Sequence, residues 1–211
     1  MNNKLITLKV SSFDTNCYIL YRGNSSKCIV IDPGGDSEKI KNEILNLDLS
    51  ISYILCTHGH PDHTGGVYDL SIGEKFQFYI GAGDENLVDH PPKFITDLLP
   101  DFKNPPGDYK IIKDDTVIQS DGIEINVYKT PGHTAGSLSF FSEGMIFTGD
   151  TLFKGSIGRT DLGGGNYDLE ISSIRSKIFS LPDDTIIYPG HGDSTNVLIE
   201  KLQNPFLNNS N

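Results

Sequence analysis

The chain predicts a single α/β domain built as an αββα sandwich, with two sheets face to face and helices outside them. Three observations point there. Two β-rich blocks are each followed by a helical segment. Histidine and aspartate recur at the C-terminal ends of the strands. No shift in composition or low-complexity stretch marks a linker or a second domain. At 211 residues, one domain of this size can bury a full core.

The first block alternates strands over about Lys4 to Val10, Asn16 to Arg22 and Lys27 to Asp32. A helix begins near Asp36, a favoured N-cap residue type, and Ile40, Ile44 and Leu47 share one of its faces. Ile51-Ser-Tyr-Ile-Leu-Cys56 alternates and is β-rich, so it reads as the next strand. Gly65 and Gly66 let the backbone turn tightly before a short helix. Apolar β-like runs return at Ile123 to Tyr128, Met145 to Phe147 and Thr185 to Tyr188. A second clear helix follows Gly163-Gly-Gly165, with Ile171, Ile174, Ile178 and Leu181 at helical spacing.

One stretch does not fit the sandwich. Gly83 to Lys110 holds Pro91, Pro92, Pro100, Pro105 and Pro106 with Phe94, Phe102 and Tyr109, too much proline for regular elements. Loops of this length are uncommon unless functional, and we read this one as a partial lid over the substrate cleft rather than a packed surface loop. His90 lies within it, outside any ligand motif, and reads as a surface histidine.

Residues 57 to 63 read Thr-His-Gly-His-Pro-Asp-His, placing His58, His60, Asp62 and His63 in six positions at the end of a strand. Neutral imidazole and carboxylate are donors that zinc, iron or manganese accepts. Three further strand ends each offer one more such residue, preceded by glycine: His133 in Thr130-Pro-Gly-His133, Asp150 in Phe147-Thr-Gly-Asp150 and His191 in Tyr188-Pro-Gly-His191. Glycine there lets backbones crowd a site. An isolated histidine after a strand is usually structural. The same pattern three times over, beside the heptapeptide, points to metal ligation.

The order T-H-x-H-x-D-H, then His, Asp and His, resembles the metallo-β-lactamase superfamily over nearly the whole chain. The resemblance implies that His58, His60 and His133 bind one metal and that Asp62, His63 and His191 bind a second, with Asp150 bridging both. It implies two divalent ions, zinc first and iron or manganese as alternatives. Asp32, in Ile29-Val-Ile-Asp-Pro-Gly34, matches the early Asp-Pro-Gly element, whose Asp orients ligands; a turn residue before Pro33 is an equal reading. Asp150-Thr-Leu-Phe-Lys-Gly-Ser-Ile-Gly-Arg-Thr-Asp161, Leu181 to Gly192 and Asn204-Pro-Phe206 look like the short glyoxalase II-like hydrolases, although Gly163 stands where such relatives commonly carry proline. Arg159 and Asp161 read as a local ion pair ordering a loop.

The activity implied is hydrolysis of S-2-hydroxyacyl thioesters, such as lactoylglutathione, by a metal-bound hydroxide, with Asp62 aiming the attack. A leaving thiolate, of pKa about 8.5, needs no strong general acid. Two alternatives stay open: a persulfide dioxygenase with one Fe(II) on His58, His133 and Asp150, and a hydrolase of another ester or lactone class. A non-catalytic metal-binding module is disfavoured by the intact ligand set. Longer glyoxalase II proteins carry a basic C-terminal extension for glutathione, whereas only Lys201 is basic after His191 here.

The net charge of −11 argues against a nucleic-acid surface, which needs a basic stripe. No apolar run reaches the ~18 residues that span a bilayer. The first residues show no apolar export signal, and the odd set Cys17, Cys28 and Cys56 reads as reduced thiols. These features predict a cytoplasmic enzyme acting on a small molecule, as a monomer or small homo-oligomer.

Overall fold

The computed structural model describes residues 3–113 and 116–208. The first sheet runs β1 (Asn3–Val10), β2 (Thr15–Arg22), β3 (Lys27–Ile31), β4 (Ser50–Leu55), β5 (Gln77–Gly81) and β6 (Lys110–Ile112), in spatial as in chain order. Its first two pairings are antiparallel, and those from β3 onward are parallel. The second sheet contains β7 (Val117–Ser120), β8 (Ile123–Lys129), β9 (Leu138–Ser142) and β10 (Met145–Gly149). A small hairpin, β11 (Leu152–Phe153) with β12 (Ser156–Ile157), then leaves the sheet. β13 (Ile186–Pro189) returns parallel to β10, and β14 (Thr195–Asn196) forms the edge.

The two-residue period of the strands sorts side chains into layers. Tyr18, Leu20, Ile29, Ile31 and Leu55 meet Ile125, Val127, Leu138, Phe140 and Phe147 in the shared interior between the sheets. The intervening residues Cys17, Ile19, Cys28, Val30 and Ile54 face outward and are covered by Ile40 and Ile44 of α1 (Ser37–Asn46) and Val67 and Leu70 of α3 (Val67–Leu70). On the far side, Ile146 and Ile187 pack against Ile174, Ile178 and Val197. Ile174 and Ile178 belong to the π-helical continuation, over Ile174–Ile178, of α6 (Tyr167–Ser173), and Val197 opens α7 (Val197–Gln203). The αββα order predicted from the sequence is the order found. Each fully buried Ile contributes roughly 1.5–3 kcal/mol, so three separate apolar layers hold the frame independently of the polar site.

Local details differ from the sequence reading in instructive ways. Asp36 stands at the N-cap position of α1 but caps nothing; its backbone is left-handed (φ 47°) and its carboxylate accepts the Ser11 N–H at 3.0 Å. The caps that work are Asn166 before α6 and Asn196 before the last helix, whose side chains accept the Leu169 and Ile199 N–H groups at 3.0 and 2.8 Å. The segment from Gly83 to Lys110 is not devoid of regular structure. It holds α4 (Glu85–Asp89) and α5 (Lys93–Thr96), because Pro92 precedes a helix rather than interrupting one. Within it Tyr109 packs on Phe78 and donates to Asp89, Phe94 is exposed, and Phe102 packs against Gly65. His90 is exposed, as expected of a surface histidine.

Candidate metal centre

All seven residues singled out in the sequence converge at one edge of the sandwich, beyond the C-terminal ends of β4, β10 and β13. His58 and His60 occupy the loop after β4, and α2 (Pro61–Thr64) carries Asp62 and His63. His133 comes from the β8–β9 loop, Asp150 directly follows β10, and His191 follows β13. Parallel strands deliver their loops to a common rim, which is why residues far apart in sequence meet here. Gly190 is required by this crowding, because a Cβ there would stand on Asp150 Oδ1 and 2.6 Å from His63 Cε1.

Two donor sets form. In one, His58 Nε2 and His133 Nε2 lie 2.9 and 3.0 Å from His60 Nδ1. In the other, Asp62 Oδ2 lies 3.6 Å from His63 Nε2 and 3.3 Å from His191 Nε2. Asp150 stands between them: Oδ1 is 3.3 Å from His63 Nε2 and 3.7 Å from His191 Nε2, while Oδ2 is 3.8 Å from His133 Nε2.

The outer nitrogens decide which lone pairs face inward. His133 Nδ1 lies 2.8 Å from the Arg159 carbonyl and His191 Nδ1 lies 3.1 Å from that of Phe13. A carbonyl only accepts, so each Nδ1 carries the proton and each Nε2 is bare. Thr57 Oγ1 donates to Asp32 Oδ2 at 2.7 Å and so accepts from His58 Nδ1 at 3.2 Å. His63 Nδ1 is 3.1 Å from Asp32 Oδ2, a contact of charge rather than a well-aligned hydrogen bond. Asp32 thus orients ligands, one of the two roles the sequence left open.

This arrangement fits a pair of cations. Bare imidazole nitrogens about 3 Å apart repel unless something positive lies between them, and tetrahedral zinc ligands at 2.0–2.1 Å would stand about 3.3 Å apart. The buried atoms His63 Nε2 and Asp150 Oδ1 have no hydrogen-bond partner among the described residues. The donor set, imidazole with carboxylate, suits zinc, iron or manganese.

Protonation follows the same division. Burial, then the neighbouring histidines, hold His58 well below the usual imidazole range and push His60 down to about 4. Burial acts on His63 in that direction too, but Asp150, Asp62 and Asp32 outweigh it and raise His63 well above the usual range. Burial disfavours the Asp62 and Asp150 carboxylates, yet His63 and its neighbours prevail and both are held below the ordinary range.

The comparisons with known proteins agree. A profile of the metallo-β-lactamase superfamily matches residues 11–191. This chain belongs to that superfamily. It is 36% identical over 219 residues to hydroxyacylglutathione hydrolase GloC of Haemophilus influenzae, covering 99% of both chains. It superposes on the B3 metallo-β-lactamase BLEG-1 with a TM-score of 0.89 and 31% identity, covering 97% of this chain and all of that one. TTHA1623, solved in a di-iron-bound form, matches with a TM-score of 0.85 and 29% identity over 96% of this chain and all of its own. The protein is therefore a metallo-hydrolase of this superfamily with His/Asp clusters suited to a dinuclear site.

Several contributors escaped the sequence reading. Arg159 and Asp161 do form the expected ion pair, bidentate at 2.8 and 2.9 Å and exposed, but it is the Arg159 carbonyl that touches the site. Cys56 is buried, its Sγ directed at the His63 carbonyl at 3.5 Å rather than at the donors. Asp84 and Glu170 are buried carboxylates that hold the backbone around the first donor set, and no motif announced them. Thr57 is the exception, since it opens the heptapeptide and could have been singled out with it. Among the described residues no helix is long and apolar enough to cross a membrane.

Proposed function

We propose that this protein hydrolyses thioesters of 2-hydroxy acids with small thiols, at a dinuclear centre. His58, His60 and His133 would hold one ion, Asp62, His63 and His191 the other, and Asp150 both. The observation that carries the reading is the shared carboxylate: Asp150 faces one donor set through each of its oxygens. Full-length similarity to a hydroxyacylglutathione hydrolase supports the substrate class. Zinc is our first assignment. The iron-bound relative keeps iron in play, and manganese suits the same donors.

Two divalent ions bound there would activate a water near neutral pH and polarise the thioester carbonyl. The chain's own residues supply the rest. Asp62 is held ionised by His63 and His191, and its Oδ2 faces both imidazoles. Its other oxygen remains to accept a hydrogen bond from the attacking water and aim it. The leaving thiolate, with pKa near ~8.5, departs without a strong acid.

Recognition of the thiol does not run through the one basic residue after the last histidine. Lys201, the only basic residue after His191, is paired with Asp183 at 2.7 Å and so is not free for a glutathione carboxylate. Residues 83–110 would act as a partial lid. Phe102 there packs on Gly65, just past the helix bearing Asp62 and His63, and lines a cavity of about 1080 Å³ with Ser12 and Leu99 whose lining includes none of the seven donors.

The test is anaerobic hydrolysis of S-lactoylglutathione and of lactoyl esters of neutral thiols by the two-zinc protein. Turnover of both, with similar kcat/KM, is the expected result. Absence of turnover, together with oxygen uptake on a thiol persulfide by the iron-loaded form, would replace this reading by a dioxygenase at His58, His133 and Asp150.

A further inference from the structure

Asp84 opens α4 in the proline-rich segment, and its side chain is turned away from that helix into the protein interior. It is fully buried and carries no cap hydrogen bond. Its Oδ2 accepts the Gly59 N–H at 2.8 Å and the Thr134 hydroxyl at 2.8 Å, and its Oδ1 accepts the Gly136 N–H at 2.7 Å. Gly59 separates His58 from His60, and Thr134 follows His133. One carboxylate therefore grips both loops that supply the first donor set. Loops and carboxylate are fitted closely: a Cβ on Gly136 would lie 2.6 Å from Asp84 Cγ. Among the described residues the remaining donors are held differently, His63 against Asp32, and the His191 loop by the Phe13 carbonyl and by the Asn16 amide, which donates to the carbonyls of Pro189 and Gly192.

We infer that Asp84 is a positioning residue that keeps the His58–His60 loop and the His133 loop in register, and so sets metal affinity at that half of the centre alone. This rests on the reading of His58, His60 and His133 as ligands of one ion. The isosteric Asp84→Asn separates the role from mere filling of space. An amide has one accepting oxygen, so whichever way it is flipped, its NH₂ faces the N–H of Gly59 or of Gly136. A buried donor left without an acceptor displaces its loop.

The experiment titrates metal-free wild-type, Asp84→Asn and Thr134→Val proteins with Zn²⁺ against a chromophoric chelator, and records thermal melts of the same metal-free samples. Thr134→Val removes one of the three hydrogen bonds and leaves the carboxylate in place. For wild type, two equivalents should bind. In Asp84→Asn one equivalent should weaken by roughly 10- to 100-fold, as when partners orienting a ligand are lost, while the other holds to within about threefold. Thr134→Val should shift the same equivalent by less. Equal weakening of both equivalents, or a lowered melting temperature with both affinities unchanged, would reduce Asp84 to a packing role. If wild type itself failed to bind a second equivalent, the dinuclear reading would fall first, whatever the variants did.

Discussion

The two halves of the centre are built on opposite electrostatic plans. In the trio His58, His60 and His133, burial and the neighbouring imidazoles hold His58 and His60 below the usual range, and the rings of His58 and His133 are fixed by a hydroxyl and a carbonyl. The acids on that side, Asp84 and Glu170, stand back from the imidazoles and hold main-chain N–H groups. Asp62, His63 and His191 form an anionic set, in which the carboxylates Asp62, Asp150 and Asp32 surround the His63 imidazole. The first half is held by shape, the second by charge. In the metal-free protein the surrounding carboxylates favour a proton on His63, against its burial.

The largest break comes at the residue the halves share. Asp150→Asn should remove the anionic oxygen from both sets and cost several kcal/mol of transition-state stabilisation, on the order of 10³-fold in kcat. Metal analysis should find that variant short of both ions, with its circular dichroism unchanged because the apolar layers do not depend on the site. Asp62→Asn should act on one half only. Bound metal should fall from two equivalents toward one, and kcat should drop by roughly 10²-fold, since the aim of the water is lost with it. Hydrolysis at the wild-type rate would sink the dinuclear mechanism.

Asp32→Asn sharpens the contrast from outside the ligand set. Asp32 faces His63 directly and reaches His58 through Thr57. Its amide should weaken both ions by about 10-fold or more, unlike the one-sided effect expected of Asp84→Asn. A loss confined to one ion would show that the halves are not coupled through Asp32.

The smallest effect belongs to Glu170, whose carboxyl is pushed up to about 8 by burial and by Asp150, against the opposing His133 N–H bond. The folded protein holds this proton where the unfolded chain, near its ordinary 4.5, releases it. Its contribution is therefore full below pH 4.5 and lost as pH rises through 8. Melting temperatures of metal-free wild type should thus fall relative to Glu170→Gln between those limits. Parallel curves would show that Glu170 does not titrate there.

The cluster of donors was legible in the sequence because a metal site needs particular donor atoms, and four of the seven fall within one heptapeptide. The layers were legible because period 2 and period 3.6 write burial into the chain. Asp84 was not. A lone acid before a short helix looks like a cap, and its real partners at Gly59 and Gly136 are 25 and 52 residues away. Arg159 was legible as an ion pair with Asp161, but its second role, a carbonyl that fixes His133, had no signal. Main-chain roles leave no residue-type signature.

The clasp between the β1–β2 turn and the last ligand loop has a consequence for how the molecule forms. Phe13 holds His191 across 178 positions, and Asn16 binds the carbonyls of Pro189 and Gly192 across 173 and 176. Contacts this distant must have their chain entropy met before they return any stability, which makes them slow to form. The sheets and their helices can condense from nearer neighbours, but His191 is seated only when the two ends of the fold meet. The anionic half is then expected to mature after the histidine trio, whose own supports reach only as far along the chain as Glu170.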